Sequence, residues 1–280
     1  MGGALALALS QAGEPVDEII YRSRPKTAAL VSRQSHKPKL TSFTKVAEIT
    51  SNVLIIATQD EELAQTAETL ASKVRPKTIV FHTSGSISSE ILMPFKRIGA
   101  ETASLHPLAS ISSAADGPAR FRGAFFCIEG SAKAVAVGKR IVKKLGGKAF
   151  TIDAAEKPLY HAAALTAAGH VTALFDVAVS LMEKSGLERG IARKVLQPLL
   201  LGVAQNLSRY DTSEALTGTF ARGDEATLSR HLKALASAAS ELEYTIYLDL
   251  ALRSIDLAES NGLDKARASR MRRSIGMAKR

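Results

Sequence analysis

Apolar residues gather in short runs along the first half of the chain: VDEIIY at 16–21, NVLIIAT at 52–58, TIVFHTSG at 78–85, ETASLHP at 101–107, GAFFCIEG at 123–130 and KAFTID at 148–153. Each run is rich in β-branched or aromatic residues and bounded by polar, Gly or Pro positions, which marks strands. The stretches between them, 2–12, 25–33, 60–74, 88–98 and 131–145, read as helices. The signal is weakest over 34–50, where KLTSF is a candidate short strand. Strand–helix alternation of this kind predicts an α/β domain with a mainly parallel sheet. Near residue 154 the strand signal ends, and 155–184, 188–209, 224–238 and 240–261 read as helices. Leu174, Val177, Ala178 and Leu181 have the spacing of a buried helical face, and the alanine-rich helix 155–184 reads as buried on more than one side. The expected organisation is an α/β domain over 1–153, an all-α domain over 154–262 and a basic tail over 263–280.

Composition narrows the classes without changing that picture. The 280 residues are 46% hydrophobic and 23% charged, enough for a core in two domains. The single cysteine, Cys127, sits in an apolar run and reads as a buried core thiol, which excludes a disulfide framework. No run approaches the ~18 consecutive apolar residues of a membrane span. The opening MGGALALALSQAG lacks the basic flank of a signal peptide. The expected compartment is therefore the cytoplasm, with no membrane partner. The net charge is +10, and 21–39 and 265–280 contain no acid. No aromatic residue interleaves with these charges, so they read as solvated surface, frayed at the tail, rather than as a nucleic-acid contact.

The opening also has the form of the helix that follows a glycine-rich dinucleotide turn. Gly2 or Gly3 would be the last glycine of that turn, where bare backbone and a helix N-terminus favour a pyrophosphate. Some twenty residues on, an acid would bind a ribose 2′-hydroxyl. Arg22, Ser23 and Arg24 stand there instead and offer donors to a 2′-phosphate. The expected cofactor is NADP(H), with NAD(H) less favoured. No strand precedes this helix, so the sheet is expected to carry a slot between 16–21 and 52–58. It is also expected to gain stability and cofactor affinity from ~10 further N-terminal residues. Thr58, Ser84 and Gly85 fall at the carboxyl ends of strands, the edge where open α/β sheets bind ligands.

His82 and His106 end strands, and His161 and His170 share a helix. A reductase needs a proton donor beside its hydride donor, and histidine suits that work near neutral pH. No His, Cys or acid spacing suits a metal, and HTSGS is not the G-x-S-x-G elbow of a serine hydrolase. The glycine-broken stretch ALTGTFARGD presents Thr217, Arg222 and Asp224, the last also placed to cap the next helix. A helical region with this much apolar surface points to a homodimer.

In combination, HTSGSISSEIL, GAETASLHPLAS, FRGAFFCIEG, LGGKAFTI, KPLYHAAALTAAGHVTALFD, NLSRYD and ALTGTFARGDEATLSRHLKAL resemble one family. Its members carry a Rossmann-like NADP-binding domain followed by the helical domain of unknown function 2520. The resemblance covers nearly all of 15–262. That family is similar to pyrroline-5-carboxylate reductase, prephenate dehydrogenase and the 6-phosphogluconate dehydrogenase C-terminal-like fold. The resemblance implies NAD(P)-dependent oxidation or reduction of a small molecule, with the active site between the domains. Prephenate dehydrogenases carry a catalytic His in an H-P motif and a Ser about twenty residues upstream. By that analogy His106 handles the proton and Ser84 orients it. His161, Thr217, Arg222 and Asp224 would line the substrate side. Two positions depart from the family: Thr219 replaces the proline of LTGP, and Gly169 and His170 occupy a region that often holds Asn. A non-catalytic, dimeric dinucleotide-binding or sensor protein is the alternative reading.

Overall fold

The computed structural model describes residues 1–22 and 37–279. Ser23, Arg24 and the expected helix over 25–33 lie outside the described residues. The chain forms two compact units, Met1–Gly169 and His170–Arg280. The boundary therefore falls some fifteen residues after the end of the strand signal, within a helical stretch rather than in a linker.

In the first unit, helix α1 (Gly2–Gln11) is followed by strands β1 (Glu18–Tyr21), β2 (Lys39–Ser42) and β3 (Val53–Ile56). Helix α2 (Asp60–Ala71) leads to β4 (Ile79–His82) and the short α3 (Met93–Arg97). Then come β5 (Glu101–Leu108), α4 (Gly117–Phe121), β6 (Phe125–Gly130), α5 (Ala132–Lys144), β7 (Lys148–Thr151) and α6 (Lys157–Leu165). Every strand read from the sequence is present, including the weak KLTSF as β2. Strand order is β3-β4-β5-β6-β7 in one sheet, parallel except for the antiparallel β5–β6 pair. β1 and β2 form a separate parallel pair. Among the described residues β1 and β3 share no ladder.

Strand alternation divides the main sheet into two faces. Ile79, Phe81, Ala103, Leu105, Phe126 and Ile128 pack with Ala4, Leu5 and Ala8 of α1 and Ala134 and Val142 of α5. The opposite face buries Val80 with Leu63, Ala67 and Leu70 of α2 and with Leu92 and Phe95. Toward the carboxyl ends of the strands that second face turns polar.

The second unit holds α7 (Val171–Lys184), α8 (Arg189–Leu207), α9 (Thr212–Ala215), α10 (Glu225–Ala238), α11 (Glu241–Ser260) and α12 (Lys265–Ala278). Its core joins Leu228 of α10, Leu248, Ala251 and Ile255 of α11, and Ala268, Met271 and Ile275 of α12. The basic tail is thus no frayed terminus. Met271 and Ile275 are fully buried, and three charges of the tail meet acids. Arg270 bonds Glu225, Arg272 bonds Asp256 and Glu259, and Lys279 bonds Asp249. The expected burial of helix 155–184 is also not what the chain shows. Leu174 is exposed, and Val179 is the one buried residue of α7, because its apolar side finds few partners among the described residues. From Ala154 to Lys184 the backbone stays helical, long and apolar enough by length and composition to cross a membrane. His161, Gly169 and His170 interrupt it, so it is not a run of consecutive apolar residues.

Candidate active site

The polar face at the carboxyl edge is built by cross-strand register. His82 of β4 lies beside Ser104 of β5, and Ser104 beside Glu129 of β6. One step along, His106 lies beside Cys127 of β6, and Cys127 beside Phe150 of β7. Two rows result, one of His82, Ser104 and Glu129, the other of His106, Cys127 and Phe150. Helix α6 lies across both rows. Lys157, Tyr160 and His161 stand at i, i+3 and i+4, so they share one face of that helix.

Lys157 rivets the helix to the first row. It is fully buried, and its Nζ donates to Ser104 Oγ at 2.5 Å and to the Ser84 carbonyl at 3.1 Å, with Glu129 Oε1 at 3.7 Å. Glu129 in turn accepts from the Ser89 N–H at 2.7 Å and its hydroxyl at 2.9 Å. Burial pulls the Lys157 ammonium below its usual range, and Glu129 partly restores it. The Ser84 carbonyl also accepts from Ser104 Oγ at 3.2 Å. The Ser84–Gly85 peptide is therefore clamped from two sides.

Tyr160 and His161 reach the second row. Tyr160 Oη lies 2.7 Å from His106 Nδ1, and the two rings meet edge to face. His161 meets His106 in the same way, with centroids 5.6 Å apart. Gly85 completes the group. A Cβ there would collide with His161 Cδ2 and stand 2.8 and 2.9 Å from His106 Cε1 and Nε2. Only a bare Cα fits under the two imidazoles. Burial, then the neighbouring His161 and Lys157, lowers the His106 imidazole to about 4, so it is neutral at neutral pH. Burial and Lys157 lower His82 likewise to about 4. The Ser84 N–H donates to His82 Nδ1 at 3.2 Å, which leaves the proton of that ring on Nε2.

Gly85, His106 and His161 are thus brought together. Ser84 is adjacent, but its side chain points elsewhere. Its Oγ donates to Asp60 Oδ2 at 2.9 Å and accepts from the Ile87 N–H at 3.1 Å. The hydrogen bond on His106 belongs to Tyr160, so the orienting role read for Ser84 falls to a residue that sequence reasoning missed. The i, i+3, i+4 pattern in KPLYH was the available signal. Arg22 lies at the end of β1 and is already engaged. It bonds Glu62 at 2.7 Å and Thr66 at 2.8 Å, both on α2, and stacks over Phe43. Thr217, Arg222 and Asp224 belong to the second unit. Asp224 caps α10, accepting from the Thr227 N–H at 2.9 Å and its hydroxyl at 2.7 Å.

Residues 1–107 match the Rossmann-like domain, and residues 124–254 match DUF2520, a domain of unknown function. The chain is a Rossmann-like domain joined to a DUF2520 domain. Among solved structures, protein TM1727 from Thermotoga maritima is similar with a TM-score of 0.73 and 23% identity, over 92% of this chain and 96% of that one. A Bacteroides fragilis protein assigned as an NADP oxidoreductase gives 0.70 and 23%, over 90% and 93%. The reductive aminase of Aspergillus terreus, in complex with NADPH and ethyl-5-oxohexanoate, gives 0.56 and 18%, over 99% and 90%. At these identities the likenesses concern the fold. No curated relative matches the sequence.

The Rossmann-like domain has features that fit a dinucleotide. Thr58 Oγ1, just past β3, is buried and bonds none of the described residues. Gly2 brings the start of α1 against Ala57, where an added Cβ would lie 3.1 Å from the Ala57 Cβ. The missing side chain lets the start of α1 pack closely on the residue that follows β3. Arg22 supplies a guanidinium, paired with Glu62 on a half-exposed surface.

Proposed function

We propose that this protein is an NADP(H)-dependent oxidoreductase of a small carbonyl, imine or alcohol compound. The observation that carries the reading is the convergence of Gly85, His106 and His161 at the carboxyl edge of β4 and β5. Open α/β sheets bind ligands at that edge. When bound, the nicotinamide supplies or accepts a hydride. The residues proposed to hold the dinucleotide are Gly2 and Gly3 through backbone N–H groups, Thr58 through its free hydroxyl, and Arg22 with Ser23 and Arg24 through a 2′-phosphate. To bind that phosphate Arg22 must leave Glu62, so preference for NADP(H) over NAD(H) is set by an exchange of anions on one guanidinium. His106 is the group that meets the reacting oxygen or nitrogen, and the apolar wall of Phe150 and Tyr160 limits water around it.

The test is oxidation of NADPH against a panel of small ketones, aldehydes and cyclic imines. Turnover on a panel member that falls at least tenfold in His106→Ala supports the reading. Full turnover in that variant removes His106 from the chemistry. Saturable NADPH binding with no turnover across the panel favours a non-catalytic dinucleotide sensor.

A homodimer is also proposed. Ile191, Val195, Leu199, Val203 and Leu207 repeat every four residues along α8, and each is 44–66% exposed. Such an i±4 ridge packs into the groove of a like helix. Exposed Leu165, Val171 and Leu174 extend the apolar area, beyond what a monomer usually leaves open.

A further inference from the structure

The direction of the hydrogen bond between Tyr160 and His106 decides which atom the site presents to a ligand. The bond can run from Nδ1–H to the phenol oxygen, or from the phenol O–H to Nδ1. In the first arrangement the Tyr160 proton must go elsewhere. Cys127, across the ladder from His106, lies beside that hydroxyl, but thiol sulfur is a weak acceptor. In the second arrangement the best neutral donor of the group meets its best neutral acceptor. The Cys127 S–H is then free to point at the phenol oxygen. Burial favours the neutral form of all three: it pushes the Cys127 thiol and the Tyr160 phenol up and His106 down.

We propose that Tyr160, backed by Cys127, is a positioning residue that locks His106 as the Nε2–H tautomer, so the site offers a neutral N–H donor and not an imidazole lone pair. Nε2, with Cε1, forms the edge of the ring that lies over Gly85, opposite the Nδ1 that meets Tyr160. A neutral N–H donor at that point stabilises negative charge developing on a substrate oxygen or nitrogen. It cannot act there as a base that removes a proton. Under the oxidoreductase reading, on which this use of the atom rests, the site is built to polarise a C=O or C=N bond. The tautomer itself is a property of the protein alone.

The experiment is two-bond 1H–15N correlation NMR of the histidine rings in the full chain at neutral pH, with His106 assigned by the signals lost in His106→Gln. The expected spectrum has an unprotonated Nδ1 and a protonated Nε2. In Tyr160→Phe those signals should move toward the average of the two tautomers. A protonated Nδ1 in the native protein overturns the proposal, and so does an unchanged tautomer in Tyr160→Phe. Should that variant fail to fold, the native spectrum still decides. A parallel NADPH titration tests the oxidoreductase reading separately, so either can fail without the other.

Discussion

At the scale of single residues, two histidines of the site are neutral groups held where charge is costly. His82 and His106 both have folded values near 4 against an ordinary value of 6.5. The unfolded chain therefore binds more protons than the folded one between those limits. The stability tied to these rings is complete above pH 6.5 and is lost as the pH falls toward 4. Denaturant midpoints measured across that window should decline, and His106→Gln should flatten part of the decline. An identical slope in the variant would assign it to His82 alone. Gly85→Ala is expected to cost about 1–3 kcal/mol, the usual range for overpacking, and to broaden the His106 and His161 ring signals. Both rings would have to move away from a new methyl group. His106 and Gly85 sit at the end of a strand and in the turn after one, and His161 is one of two histidines in a helix, so all three were candidates from the sequence. Tyr160 was not read, because its role depends on which side of α6 faces the sheet. Ser84 was read as an orienting group from spacing alone, and Asp60, near in space but 24 residues away, has taken its hydroxyl.

Elements explain why these residues meet. Alternation in SLHP puts Ser104 and His106 on one face of β5, and alternation in FCIEG puts Cys127 and Glu129 on one face of β6. Those patterns are visible in the sequence. Their antiparallel register, which aligns Ser104 with Glu129 and His106 with Cys127, is not, because parallel pairing was the default expectation for an alternating chain. The buried Lys157 then fixes α6 over the rows. Removing its charge alone, as in Lys157→Met, leaves the Glu129 carboxylate buried without its cation. A loss of about 3–5 kcal/mol is expected for breaking such a pair. The double variant Lys157→Met with Glu129→Gln should lose less than Lys157→Met does. Urea denaturation of the two checks this, and a double variant at least as unstable as the single one would show that the pair is not what holds α6. The tail was misread for a related reason. Charge dominated its composition, while Ala268, Met271 and Ile275 fall at the helical spacing that buries one face of α12.

On the scale of the whole molecule, the strand–helix alternation and the later run of helices were enough to give the architecture. The division at Gly169 was not legible, since it lies in a π turn, Thr166–His170, inside one helical stretch. The apolar ridge on α8 has its consequence at this scale. Leu199→Glu places a charge at the middle of the ridge and should convert a dimer into a monomer in light scattering after size exclusion. A monomeric native protein would contradict the proposed homodimer. The function proposed above depends on a dinucleotide at the edge of the Rossmann-like domain. Fluorescence titration of the full chain with NADPH and NADH, repeated with Arg22→Ala, tests this most directly. Saturable binding that is tighter for NADPH, with that preference reduced in Arg22→Ala, is the expected result. No saturable binding of either nucleotide at millimolar concentration would contradict it.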